Sequence, residues 1–131
     1  MPNPGEVKYV TTNKLTADDV LALHDDCKAV INRYQKVDPI MTLYRVVSAF
    51  LSLTTIGSGF VTLQGVGASS DPVKQALLMD SFYFDAYIRL TKDGATYIEM
   101  RQKFRYMEGG PNSSAGWVPV ESPWICATYF Y

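Results

Sequence analysis

His24 is the only histidine of the chain, and it stands beside Asp25, Asp26 and Cys27. A base–carboxylate pair or a metal site would need these residue types close together in space. At helical spacing, however, Asp25 and Asp26 project away from the side that carries His24. The expectation is therefore a histidine packed at the edge of the core. Cys27 and Cys126 are the only cysteines, far apart, with no CxxC and no Cys/His spacing. Zinc-ribbon and thioredoxin readings fail on that count. Both thiols lie in apolar surroundings with no activating neighbour, so free thiols acting as small hydrophobes are expected. The carboxylates are scattered, and the glycines around Gly57 and Gly65 form neither GxxxxGK[ST] nor GxGxxG. No catalytic residue, cofactor or metal ligand is assigned.

What remains is a surface chemistry of tyrosine and charge. The chain has nine tyrosines, and this side chain suits interfaces because it joins an apolar body to a polar tip. From Phe82 to Met107, apolar residues fall mostly on even positions: Phe82, Phe84, Ala86, Ile88, Leu90, Ile98, Met100, Phe104. Odd positions carry Tyr83, Asp85, Tyr87, Arg89, Tyr97, Glu99, Arg101, Lys103 and Arg105. Period-2 alternation predicts a β-hairpin over 82–107 with one buried and one wet face. A three-residue Lys92-Asp93-Gly94 turn, with glycine in the left-handed region, matches like faces. It pairs Ile88–Ile98, Ala86–Met100, Phe84–Gln102 and Phe82–Phe104 inside. Outside it pairs Arg89–Tyr97, Tyr87–Glu99, Asp85–Arg101 and Tyr83–Lys103. The wet face could stack bases and hold phosphates, but Asp85 and Glu99 answer its basic residues and no RNP-like motif is present. A nucleic-acid partner is not favoured.

Around the hairpin, the chain reads as one domain. Its 131 residues can bury a core unaided, and 47% apolar with 19% charged residues suits a folded globule. A net charge of −1 gives no global pull toward polyanions. Residues 1–15 read as an extended arm in which Val7–Thr11 can add an edge strand, and 16–131 as a single α+β domain. Thr16 and Asp19 fit a capping box. Val20, Leu23, His24, Cys27, Val30, Ile31 and Tyr34 then trace one apolar stripe. Asp38-Pro39 opens a second helix with a broad apolar stripe and a narrow polar one of Arg45, Ser48, Ser52 and Thr55. Asp71-Pro72 repeats that signal for a short third helix over Val73–Asp80. Phe60–Val66 reads as a short strand, Glu108–Gly116 as a turn-rich flexible loop. Trp117–Val120 and Trp124–Tyr131 read as closing strands, Pro119 favouring an edge. Helices first and antiparallel strands after is an α+β order.

Val46–Ser70 contains no charged residue, but eight serines and threonines, four glycines and Gln64 interrupt it, so a membrane span is not favoured. Met1–Glu6 has neither a basic nor an apolar run, so no secretory signal is expected and a cytoplasmic or particle-bound location follows. The leading expectation is a non-enzymatic subunit that works by self-assembly or docking onto a larger complex, a virion or phage component being one home for such a chain. Its contact surface would comprise Tyr83, Tyr87, Arg89, Tyr97, Arg101, Lys103, Arg105, Trp124, Tyr129 and Tyr131. One competitor is a small-molecule or enzymatic pocket between helix 2 and the sheet, lined by Tyr44, Arg45, Ser48 and Ser52. The other is a nucleic-acid-binding module on the hairpin face.

Overall fold

The computed structural model describes residues 2–108 and 115–131. The Glu108–Gly116 loop falls mainly on residues 109–114, outside the described residues. The chain is α+β: strand β1 (Val7–Thr11), helices α1 (Ala17–Tyr34), α2 (Pro39–Leu51), α3 (Leu63–Val66) and α4 (Pro72–Asp93), then strands β2 (Tyr97–Met107) and β3 (Gly116–Tyr129). The three strands form one antiparallel sheet in the order β1-β2-β3.

The helix starts are written locally. Thr16 Oγ1 accepts from the Asp19 amide at 3.2 Å while Asp19 Oδ2 accepts from the Thr16 amide at 2.9 Å, a complete capping box. Asp38 and Asp71 cap α2 and α4 through one bond each, accepting from the Met41 amide at 3.0 Å and the Lys74 amide at 3.1 Å, and each is followed by proline at the first helical position. Cys27 and Cys126 are both free.

The 82–107 hairpin is a correction. Residues 72–93 are one 22-residue helix, and only Tyr97–Met107 is a strand. Two periods overlap in this segment. Phe82, Phe84, Ala86, Ile88 and Leu90 satisfy period 2, but Ala76, Met79, Tyr83, Ala86 and Leu90 satisfy the helical period, and these five are the ones buried. The helical stripe continues without a break from the Asp71-Pro72 start, so each added residue gains a local hydrogen bond and no new nucleus is needed. Gly94 does adopt the left-handed conformation (φ 71°), but as the helix cap: its amide donates to Leu90 O at 3.1 Å. None of the eight cross-strand pairs of the hairpin forms, because β2 instead pairs with β1 and β3.

Phe60–Val66 is also corrected. It holds the end of a 3₁₀ turn (Ser58–Phe60) and α3, where Thr62 caps by accepting from the Gly65 amide at 2.9 Å. The two closing strands are one long edge strand, broken in register opposite Glu99/Met100 and Arg101/Lys103. Glu121 takes φ 61° at the second irregularity. Buried Gln102 fills that bulge, its Nε2 donating to Val120 O at 3.3 Å and Glu121 O at 3.0 Å.

α1, α2 and α4 pack on one another and on one face of the sheet. Val20, Leu23, Cys27 and Ile31 of α1 meet Leu43, Val46, Val47 and Phe50 of α2 and Met79, Tyr83, Ala86 and Leu90 of α4. Val10, Ile98, Met100 and Phe104 close this core from the sheet. The even-in, odd-out alternation expected of 98–105 therefore holds for β2, although its partners are different. Val46–Ser70 is spent on α2, the 3₁₀ turn and α3. Among the described residues, no helix is long and apolar enough to cross a membrane.

Candidate interaction surfaces

The ten residues expected to share one surface are split between two. Tyr97, Arg101, Lys103 and Arg105 point outward from β2, and cross-strand pairing places Trp124 beside Arg101 and Tyr129 beside Tyr97 on the same face. Tyr131 lies just past the end of β3, stacked on Tyr129 with ring centroids 6.1 Å apart and edge-on to Tyr97 at 6.0 Å. Tyr83, Tyr87 and Arg89 belong to α4 and never reach the sheet's outer face. Tyr83 is fully buried, parallel to Phe50 at 6.4 Å, with burial pushing its pKa well above the ordinary tyrosine value. Tyr87 is half-buried and Arg89 exposed. Asp85, expected to neutralise Arg101, is likewise on the exposed side of α4.

β1 brings two residues to the outer sheet face that the hairpin reading missed. Val7 pairs with Arg105 and Tyr9 with Lys103. Tyr9 reaches across β2 to meet Trp124 edge-on at 6.0 Å, and the two are 55% and 39% exposed. Arg101 Nε donates to Thr11 Oγ1 at 3.0 Å, which holds its stem against β1. The other end of the face is tyrosine-rich and carries one carboxylate. The Tyr129 hydroxyl donates to Glu99, and that bond raises the Tyr129 pKa. Lys14 sits over the Tyr129 ring at 4.4 Å and donates to Tyr131 Oη at 3.2 Å, which raises the lysine pKa.

The second surface lies on α4. Leu77, Leu78, Phe84 and Ile88 are 47, 44, 44 and 45% exposed. Leu77, Ser81, Phe84 and Ile88 succeed one another at four, three and four residues, one face of a helix. Next to this row a groove of about 430 Å³ runs between α1 and α4, lined by His24, Lys28, Leu77, Asp80, Ser81 and Phe84. His24 is 8% exposed, its Nδ1 2.8 Å from Asp80 Oδ1 and its ring 5.1 Å from Phe84. It packs at the core's edge as its place on the α1 stripe predicts, and its partner Asp80 comes from α4, a contact between residues far apart in sequence that leaves no local mark. Burial raises the Asp80 pKa, and His24 and Lys28 pull it part of the way back. Burial also pushes the nearby Cys27 thiol up, the reverse of an activated nucleophile.

The pocket expected between α2 and the sheet does not gather its lining. Arg45 lies over Tyr34 at 5.0 Å, exposed, and Ser52 opens instead on a shallow groove of about 220 Å³ between α1 and α2 with Asp19 and Asp26. Among the described residues, no three His, Cys, Asp or Glu side chains are grouped as a metal site would need. No protein-family model, no curated protein and no solved structure matches this chain.

Proposed function

We propose that this chain is a non-enzymatic assembly subunit that pairs with a second copy of itself through the outer face of α4, within an oligomer or larger particle. A virion or phage is one assembly of this kind. The observation that supports it is the exposed apolar row Leu77, Phe84 and Ile88 on one face of a long, well-capped helix, with Leu78 exposed on the neighbouring face. Three large apolar side chains, each nearly half exposed along one helix face, are the kind of grouping that marks an interaction site. Ser81 interrupts the row near its middle with a small side chain, which lets a second helix approach closely at that point. A two-fold axis across α4 would bury the same residues on both partners, so one helix face suffices for both.

The groove beside the row adds depth rather than chemistry. Its polar lining, His24 and Asp80, is mutually engaged, and its apolar lining, Leu77 and Phe84, belongs to the row itself. The occupant it suits is therefore a side chain from the partner helix. The test is the molar mass of the purified chain across a concentration series, with Phe84→Ser/Ile88→Ser as the comparison. Reversible self-association that the double variant loses supports the reading. Association that persists unchanged in the variant, or a strict monomer, overturns it.

A further inference from the structure

We propose that the outer face of the sheet, around Tyr9, Trp124, Arg101, Lys103 and Arg105, binds single-stranded nucleic acid. This goes beyond the assembly role and rests on a different face of the molecule. Three cations occupy alternate positions on the central strand, so their stems leave the sheet on one side about 7 Å apart. The hairpin reading set Asp85 against Arg101 and thereby cancelled this charge. With Asp85 on α4, the cancellation disappears. Among the described residues, none of the three cations lies within ion-pair distance of a carboxylate; the close pair found is His24–Asp80 on the helical side. Glu99 is the one carboxylate of the central strand. It is bound by the Tyr129 hydroxyl at the far end of the strand, which confines the unanswered positive charge to the Arg101–Arg105 end.

The aromatics decide between classes of anionic partner. Tyr9 on β1 and Trp124 on β3 meet over β2, beside Lys103 and Arg101 respectively, and both remain substantially exposed. Flat rings set among cations match a ligand that alternates planar groups with negative charges. An acidic peptide has the charges without the rings. A duplex keeps its bases stacked inside, whereas a single strand can lay them on aromatic side chains. The open face of a three-stranded sheet also offers no helix to enter a groove. The chain's net charge of −1 supplies no long-range attraction, so binding is local and salt-sensitive.

Fluorescence anisotropy of a short labelled oligothymidylate, titrated with the full chain at several salt concentrations, tests the proposal. Neutralising three phosphates gives a log–log salt slope of about −2 for a single strand. Arg101→Gln, Lys103→Gln and Arg105→Gln should each reduce that slope by about 0.7. Trp124→Ala should weaken binding about tenfold through lost stacking. The Phe84→Ser/Ile88→Ser variant, altered only on α4, should bind the strand through the same residues with the same slope. Thermal midpoints of the variants, close to that of the parent chain, exclude unfolding as the cause. Absence of binding at low salt overturns the proposal, as does binding indifferent to the three cations or to Trp124. Equal competition by polyglutamate overturns it in favour of an acidic protein partner, and equal binding of duplex overturns the stacking argument.

Discussion

Tyr83 separates the helical account of residues 72–93 from the hairpin more sharply than any other side chain. In the helix it is completely buried between Phe50 and Phe82, and its hydroxyl has no hydrogen-bond partner among the described residues. A buried hydroxyl without a partner costs about 1–3 kcal/mol of desolvation. Tyr83→Phe keeps the ring and removes that cost, so a gain of about 1–2 kcal/mol is expected. Unfolding entropy near 2.1 cal/mol/K per residue gives about 0.28 kcal/mol/K for a chain of 131 residues. The thermal midpoint of Tyr83→Phe should therefore rise by about 4–7 °C. Tyr83→Ala removes the whole ring from the core and should cost about 3–5 kcal/mol, a fall of more than about 10 °C. Had Tyr83 stood opposite Lys103 on a wet hairpin face, both substitutions would lie within about 0.5 kcal/mol of the parent. Thermal and urea unfolding followed by circular dichroism measures both variants. A Tyr83→Phe chain destabilised by 1 kcal/mol or more would show that the hydroxyl is held by a partner and refute the reasoning.

Two further perturbations probe other parts of the fold. A Cβ on Gly116 would lie 2.6 Å from Gly65 Cα, whereas one on Gly65 would lie 3.0 Å from Gly116 Cα. Gly116→Ala should thus destabilise by about 1–3 kcal/mol, and by more than Gly65→Ala; urea midpoints in the reverse order would contradict the α3–β3 approach. Asp80 has a folded pKa raised from its ordinary 3.8, chiefly by burial. Its contribution to stability is full below that ordinary value and is lost as pH rises through the folded pKa. Asp80→Asn, permanently neutral, should gain on the parent chain as pH climbs above the ordinary carboxylate value of 3.8. Urea unfolding at stepped pH reads the gap, and a gap that narrows with rising pH would contradict the burial.

Much of this fold was legible from local chemistry. Thr16, Asp38-Pro39 and Asp71-Pro72 mark three helix starts because capping is settled within four residues of sequence. The inward set Ile98, Met100 and Phe104 was readable because strand alternation needs no knowledge of the partner strand. The length of α4 was not readable from the same alternation, since Phe82–Leu90 satisfies two periods at once. Only the uninterrupted Met79–Tyr83–Ala86–Leu90 spacing and the Gly94 cap favour the helix, and Gly94 also suits a turn. That one misreading propagated to the surface. It moved Tyr83, Tyr87, Arg89 and Asp85 onto the sheet. It also left Phe84 and Ile88 inside a core they do not enter. Tyr9 was missed because a pairing between residues far apart in sequence leaves no local mark. The outer cations Arg101, Lys103 and Arg105 were found, but their freedom from Asp85 could be seen only after the helix was in place.

Self-association through α4 is the central claim, and sedimentation equilibrium tests it most directly. Full burial of a large apolar side chain is worth about 1.5–3 kcal/mol. Phe84 and Ile88 retain 44% and 45% of their exposure in the single chain, so each has about 1 kcal/mol left to contribute to a contact. Phe84→Ser/Ile88→Ser removes two such side chains from each partner, about 4 kcal/mol per pair, or roughly a thousandfold in Kd. The expected result is a parent chain that dimerises reversibly and a double variant that is monomeric over the same concentrations with its fold intact. A parent chain that stays monomeric at every concentration, or a double variant that associates as tightly as the parent, would contradict the account.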